Sequence, residues 1–248
     1  MPEGKCSVCG LLGKLSKEHI PPKKAFNDSD VFLAKIDKER TVAEVRWKKY
    51  QRQGGNFGFV LCERCNNNTG SWYGDYYVDF MKQCADYAHQ GNGGKQLTIS
   101  VNIFPLRIFK QVLTILCASC GPGLSEKSPG LRKIILNKEC NQRPANLNVW
   151  LYLRAQGGGR SSGITGVSNT NTGENKVVAE FSWWPVGWVL SFNDNNLPEL
   201  TNITNWYSFG YNDKRNVTLN LNCHWTTTAY PLDYRDPDTV ESESRSNK

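Results

Sequence analysis

Two Cys-x-x-Cys pairs, Cys6-Ser7-Val8-Cys9 and Cys62-Glu63-Arg64-Cys65, flank a short reactive stretch, Lys17-Glu18-His19-Ile20-Pro21-Pro22. A Cys-x-x-Cys turn brings two sulfurs to one ion without long-range help. Two such turns supply all the ligands of a tetrahedral Zn²⁺ site with no open position, so the site is structural. Four ordinary cysteines or two disulfides are the alternative. Disulfides are rare in cytosolic chains, and no secretory signal stands ahead of Cys6. Closing the clamp would hold His19 beside Asn66, the residue that follows the second pair.

Glu18-His19 is the part of this stretch that can react. The chain has only three histidines, at 19, 89 and 224. A neutral imidazole takes a proton from water near working pH, because its ordinary pKa is about 6.5. A carboxylate and an amide oxygen beside it suit one hard divalent cation that keeps several of its waters. His19 is therefore the candidate general base, and Glu18 and Asn66 are the candidate ligands of Mg²⁺ or Mn²⁺. Lys23 and Lys24 follow directly, placed for a phosphate near that metal. A solvated loop bearing an idle Glu-His pair on a turn is the competing reading, since a dipeptide is a weak motif.

In this order, Cys6-x-x-Cys9, Glu18-His19-Ile20-Pro21 and Leu61-Cys62-x-x-Cys65-Asn66 resemble the HNH endonuclease family with its ββα-metal core. The resemblance covers residues 5 to 90. It implies that Glu18 binds the catalytic metal, that His19 activates water, and that Asn66, where many members have histidine, begins the helix and is a second ligand. Phage junction resolvases of the family, which pair four zinc cysteines with an asparagine there, are similar. Glu18 stands where aspartate is commoner. Asn56 is the candidate for the middle asparagine of the motif.

The elements that must position these residues follow from pattern and punctuation. Gly10 and Gly13 suit a tight return after Cys9, Gly54-Gly55 marks a turn, and Phe57 to Leu61 reads as a strand entering the second pair. Asp75 to His89 has helical spacing, with His89 as a C-terminal cap. Residues 35 to 52 carry Lys35, Lys38, Arg40, Arg46, Lys48, Lys49 and Arg52 against Asp37, Glu39 and Glu44. Lys48 and Lys49 are candidate phosphate contacts, Trp47 is read as packing, and helix and strand both remain open for Thr41 to Trp47.

Beyond Gly91-Asn92-Gly93-Gly94 the pattern changes. Gln96 to Asn102 alternates as a strand, Pro105 opens a helix that runs to Gly121, and Leu131 to Leu136 forms a shorter one. Val149 to Leu153, Lys176 to Phe181, Trp188 to Phe192 and Val217 to Leu221 read as strands. The glycine-serine stretch 157 to 163 and residues Asn169 to Asn175 are expected loops. The expected class is α+β: a zinc-stabilised ββα-metal nuclease domain (1–94), then a mixed α+β domain with a mainly antiparallel sheet (95–232), then a polar tail (233–248) expected to be disordered.

A net charge of +7 over 248 residues favours an anionic partner. Apolar runs fall short of a membrane span, and the glycine run lacks the lysine-serine ending of a nucleotide loop. The expectation is a cytoplasmic, metal-dependent nuclease acting on nucleic acid, foremost DNA, with a second half that could answer to a regulatory ligand or protein. The alternative is a zinc-stabilised nucleic-acid-binding or interaction module without activity. Cys117, Cys120, Cys140 and Cys223 could form a second metal site, but Cys117 and Cys120 end an amphipathic helix, where buried thiols are common.

Overall fold

A computed structural model describes residues 1–36, 47–90, 95–168, 173–193 and 196–246, with the side chains of Lys35, Ile36, Trp47, Lys48, Pro129, Gln156, Ser244, Arg245 and Ser246 outside the description. Lys38, Arg40, Arg46, most of the Thr41–Trp47 stretch and the Gly91–Gly94 boundary also lie outside it, as does most of the expected loop from Asn169 to Asn175. The architecture is α+β with mostly antiparallel sheets.

The first half opens with β1 (Glu3–Lys5) and β2 (Leu12–His19), then a hairpin of β3 (Val31–Ile36) and β4 (Trp47–Arg52), then β5 (Phe57–Cys62). The spatial order β1-β2-β5 makes a three-stranded sheet, with β3 and β4 pairing by themselves. Residues 1 to 16, read as a knuckle and its turn, thus contain β1 and most of β2, and Glu18-His19 ends a strand instead of sitting on a turn. β2 and β5 run antiparallel with Leu15 opposite Cys62 and His19 opposite Phe57. A bulge between Ser16 and Lys17 re-aims the end of β2, a common device next to functional sites. Helix α1 (Glu63–Thr69) starts inside the second cysteine pair, one turn earlier than the sequence suggests. A π turn (Gly70–Gly74) joins it to α2 (Asp75–Ala88), with His89 as the C-cap.

The second half is a seven-stranded sheet. Its elements are β6 (Gln96–Ile103), α3 (Pro105–Cys120), α4 (Pro122–Lys127), α5 (Pro129–Leu136), β7 (Leu147–Gly157), β8 (Arg160–Ser168), β9 (Asn175–Trp183), β10 (Val186–Phe192), β11 (Thr201–Asn202), β12 (Arg215–Thr226) and α6 (Pro237–Ser246). The order is β6-β12-β7-β10-β9-β8, with β11 on β7, and all pairs are antiparallel except β12 with β7. Pro105 sits in the first turn of α3, where its missing N–H costs nothing. The helix is buried from Pro105 to Ala118, its polar Arg107, Lys110, Gln111 and Thr114 included.

One apolar cluster runs through both halves, from Cys6 and Val8 through Phe80 and Met81 to Trp188 and Cys223. Fully burying a side chain such as Phe80 or Met81 contributes roughly 1.5–3 kcal/mol. Helix α2 is fixed to the sheet of the second half by Trp188, whose Nε1 donates to Tyr77 Oη at 3.1 Å and whose ring lies 5.7 Å from Phe80. The helix that borders the reactive stretch is therefore held by the second half.

Two expectations need correction. The glycine-serine stretch is not a loop throughout, because β8 begins at Arg160 as an edge strand paired with β9, with an irregularity between Ser161 and Ile164. The polar tail is also structured as far as Ser246. Arg160 Nη1 donates to the carbonyls of Tyr230 and Asp233 at 2.7 and 2.9 Å, Tyr234 stacks on His224 at 4.1 Å, and α6 follows. No helix among the described residues is long and apolar enough to cross a membrane.

Candidate metal centre and active-site cleft

The four sulfurs of Cys6, Cys9, Cys62 and Cys65 lie within 4.8 Å of one another, with Cys9 and Cys62 3.9 Å apart. A tetrahedral zinc with Zn–S bonds of ≈ 2.3 Å places its sulfurs about 3.8 Å apart, so the cluster fits structural zinc. The first pair sits on a turn closed by Gly10 N–H donating to Cys6 O at 2.8 Å, with Gly10 at φ +72, a conformation that favours glycine. The second pair spans the junction of β5 and α1, so strand pairing between β2 and β5 sets the distance between the knuckles. The thiols of this cluster hold their protons unevenly. The hydrogen bond from Cys65 holds the Cys6 thiol down at about 4, while the same contact, with burial, drives Cys65 far above an ordinary thiol. Four adjacent thiolates repel, and a dication removes that conflict.

A cleft of about 300 Å³ opens at the end of β2. Glu18, His19, Lys23, Lys24 and Asn66 all line it, so the sequence candidates converge on one place. Lys49 lies in β4, exposed, and does not line the cleft. No known protein family, curated protein or solved structure matches this chain. What the cleft can do is therefore argued from its own geometry.

His19 Nε2 lies 3.2 Å from the carbonyl oxygen of Gly54. A carbonyl only accepts, so Nε2 carries the proton and the neutral ring keeps its lone pair on Nδ1. Burial lowers the His19 pKa below the ordinary imidazole value, and the Lys17 and Lys23 charges act in the same direction against the Gly54 hydrogen bond. The ring is thus held as a free base.

The carbonyl that sets this tautomer belongs to a turn that needs glycine. Gly54 and Gly55 have φ of +68 and +101, and a Cβ on Gly55 would lie 2.1 Å from the Asn27 carbonyl oxygen. Asn56 Nδ2 donates to Ile20 O at 2.9 Å, tying the turn to the residue after His19. Asn27, fully buried, completes the brace. Its Nδ2 donates to Pro21 O at 2.6 Å and to Asn56 O at 2.8 Å, and its Oδ1 accepts from Asn56 N–H at 2.6 Å. These bonds fix the loop that presents Lys23 and Lys24, both exposed. From the other side, Trp183 Nε1 donates to Phe26 O at 2.9 Å. The sequence reading missed Asn27, because nothing in its local pattern distinguishes it from a polar loop residue.

Glu18 faces the cleft with its carboxyl pushed up to about 7 by burial, opposed by a hydrogen bond from Asn66. Asn66 is in turn held by Nδ2 donating to Ser16 Oγ and Lys17 O, each at 3.1 Å. A half-buried carboxylate with no cationic partner is expensive. The donor set of one carboxylate and one carboxamide, both oxygen ligands, fits a hard divalent cation that would relieve that cost.

Proposed function

We propose that this chain is a metal-dependent endonuclease of the HNH type that hydrolyses phosphodiester bonds in DNA. The observation that carries the reading is the His19–Gly54 hydrogen bond, which leaves Nδ1 as a free base in a cleft shared with Glu18, Asn66 and two lysines. The layout of two antiparallel strands followed directly by a helix, stapled by four cysteines, supports it.

In this reading His19 Nδ1 takes the proton of a water as its oxygen attacks phosphorus and the P–O bond to the leaving sugar oxygen breaks. Glu18 and Asn66 would hold Mg²⁺ or Mn²⁺, which would supply charge neutralisation at the phosphate and at the departing alkoxide. Lys23 and Lys24 neutralise the flanking backbone and carry no sequence information. The cysteine cluster, loaded with zinc, anchors the base of β2 and α1, so Glu18, His19 and Asn66 keep their spacing.

The test is cleavage of supercoiled plasmid with Mg²⁺ or Mn²⁺. Wild-type protein should cleave, and His19→Ala should be slower by on the order of a hundredfold or more, the scale of general-base catalysis, while retaining zinc and DNA binding. Equal rates for the two proteins would remove His19 from the chemistry. DNA binding by the wild type without cleavage would favour a zinc-stabilised binding module.

A further inference from the structure

Helix α3 buries four polar side chains, Arg107, Lys110, Gln111 and Thr114. Three have partners. Arg107 Nε donates to Tyr211 O at 2.8 Å and Nη2 to Asn212 Oδ1 at 2.6 Å. Lys110 Nζ donates to the carbonyls of Asn137 and Lys138 at 2.7 and 2.8 Å, and Thr114 Oγ1 donates to Lys110 O at 2.8 Å. Gln111 differs. It is 2 % exposed, and its Oε1 has no hydrogen-bond partner among the described residues.

An orphaned buried carbonyl costs a fold the whole desolvation of that group, so a native structure that keeps one calls for a reason. The location supplies it. Gln111 lines the cleft together with Glu18, His19 and Asn66. It arrives there because α3 packs beside α2 and the π turn, whose Gly70 and Gly74 line the cleft together with Asp75 and Val78 of α2.

An acceptor needs a donor. The phosphodiester oxygens are themselves acceptors, and the deoxyribose between two phosphates has no free hydroxyl. The donors in the cleft are the ammonium groups of Lys17, Lys23 and Lys24, which the phosphate oxygens take up in the nuclease reading, and the waters of a hydrated cation. A hard dication such as Mg²⁺ keeps several of them and polarises their O–H bonds. We propose that the Gln111 carboxamide oxygen accepts a hydrogen bond from a water on the divalent cation held by Glu18 and Asn66, so that α3 of the second half is the outer wall of the metal site. The inference rests on the nuclease reading above. It makes Gln111 a positioning residue, and it makes the docking of the second half a condition of tight metal binding.

The experiment is Mn²⁺ titration of the full, zinc-loaded chain without nucleic acid, followed by electron paramagnetic resonance. Wild type is compared with Gln111→Met, Gln111→Glu and Glu18→Ala. Gln111→Met should weaken Mn²⁺ binding about tenfold, the scale of losing an outer-shell partner. It should keep its zinc and melt no earlier than wild type, because it removes an unsatisfied carbonyl. Gln111→Glu restores an acceptor of the same length and should bind Mn²⁺ at least as tightly as wild type. A Gln111→Met protein with wild-type Mn²⁺ affinity would overturn the inference. So would a variant that loses affinity only in step with lost zinc and an early melt, which would make Gln111 structural. Glu18→Ala separates the two levels. If it keeps wild-type Mn²⁺ affinity, the nuclease reading fails; if it loses Mn²⁺ while Gln111→Met does not, only the role of Gln111 fails.

Discussion

Cys6-x-x-Cys9 and Cys117-x-x-Cys120 have the same spacing, yet the fold treats them in opposite ways. The first pair lies on a turn, and β5 delivers a second pair to meet it. The other pair ends a buried helix, where burial drives the Cys117 thiol well above its ordinary range and Cys120 up to about 12. Cys223, in the middle of β12, rises to about 11 for the same reason. Raised thiols do not by themselves exclude a metal, since Cys65 is raised too; what the helical pair lacks is a second pair within reach to complete four ligands. Among the described residues, Cys6, Cys9, Cys62 and Cys65 are the one cluster of three or more Cys, His, Asp or Glu side chains close enough to share a metal. Spacing alone therefore does not make a metal knuckle. It also needs a backbone that turns both sulfurs outward and a second pair within reach.

The sharpest way to break this comparison is zinc content. Purified protein should carry about one zinc per chain, by the four-ligand arithmetic. Cys62→Ser should lose the ion and unfold the first half, since structural zinc contributes on the order of 10 kcal/mol of folding free energy. Cys120→Ala and Cys140→Ala should each keep one zinc and the native circular-dichroism spectrum. A second zinc lost in those two variants would show that the helical pair binds metal after all.

The cysteine cluster and the cleft make a second contrast. The cluster is closed, with four sulfurs that fit zinc. The cleft is open, and its carboxyl is raised by burial. Glu18 in the folded chain binds its proton up to about 7, against 4.5 ordinarily. Between those values the folded state holds a proton that the unfolded state has released, so stability should fall as pH rises from 4.5 to about 7. Melting curves recorded without Mg²⁺ from pH 5 to 8 should show this fall, and Glu18→Gln should flatten it. Added Mg²⁺ should restore stability at pH 8 in wild type and leave Glu18→Gln unmoved. A slope that survives in Glu18→Gln would place its origin elsewhere.

The parts of the molecule that were legible in the sequence are those whose signal is local. The cysteine spacing, the Glu18-His19 pair, the strand into Cys62, helices α2 and α3 and five strands of the large sheet all follow from short-range pattern. What was not legible depends on partners far along the chain. Edge strand β8 has a sequence rich in glycine and serine, and it becomes a strand because β9 offers a ladder, with Ser162 Oγ accepting from Glu180 N–H at 2.9 Å. The segment after Pro231 looks like a solvated tail, but Arg160 and Tyr234 secure it to the sheet. Asn27 acquires its role only when Gly55 and Asn56 fold against it. Gln111 left no trace either, because it stands beside Lys110 and shares a helix face with Arg107 and Thr114, and its burial emerges only when α3 packs against the cleft.

The smallest expected effect separates the two basic regions. Lys23 and Lys24 are exposed, line the cleft, and sit on a loop braced by Asn27. Lys49 is exposed on a hairpin strand outside the cleft. If the phosphate backbone passes through the cleft, the two loop lysines each release a counterion on binding, and Lys49 does so only if the duplex extends to the hairpin. Each contact contributes about 0.9 to the slope of log K against log salt on duplex DNA. Changing Lys23 and Lys24 together to Ala should therefore lower that slope by about 1.8 units, while Lys49→Ala lowers it by at most about half as much. The measurement is fluorescence anisotropy on a labelled duplex across a salt series, made in the His19→Ala background so that the DNA stays whole. The loss should be equal on unrelated sequences, because lysine on phosphate reads no base. An unchanged slope for the double variant would take the loop out of the interface, and a larger drop for Lys49→Ala would move the backbone path from the cleft to the hairpin.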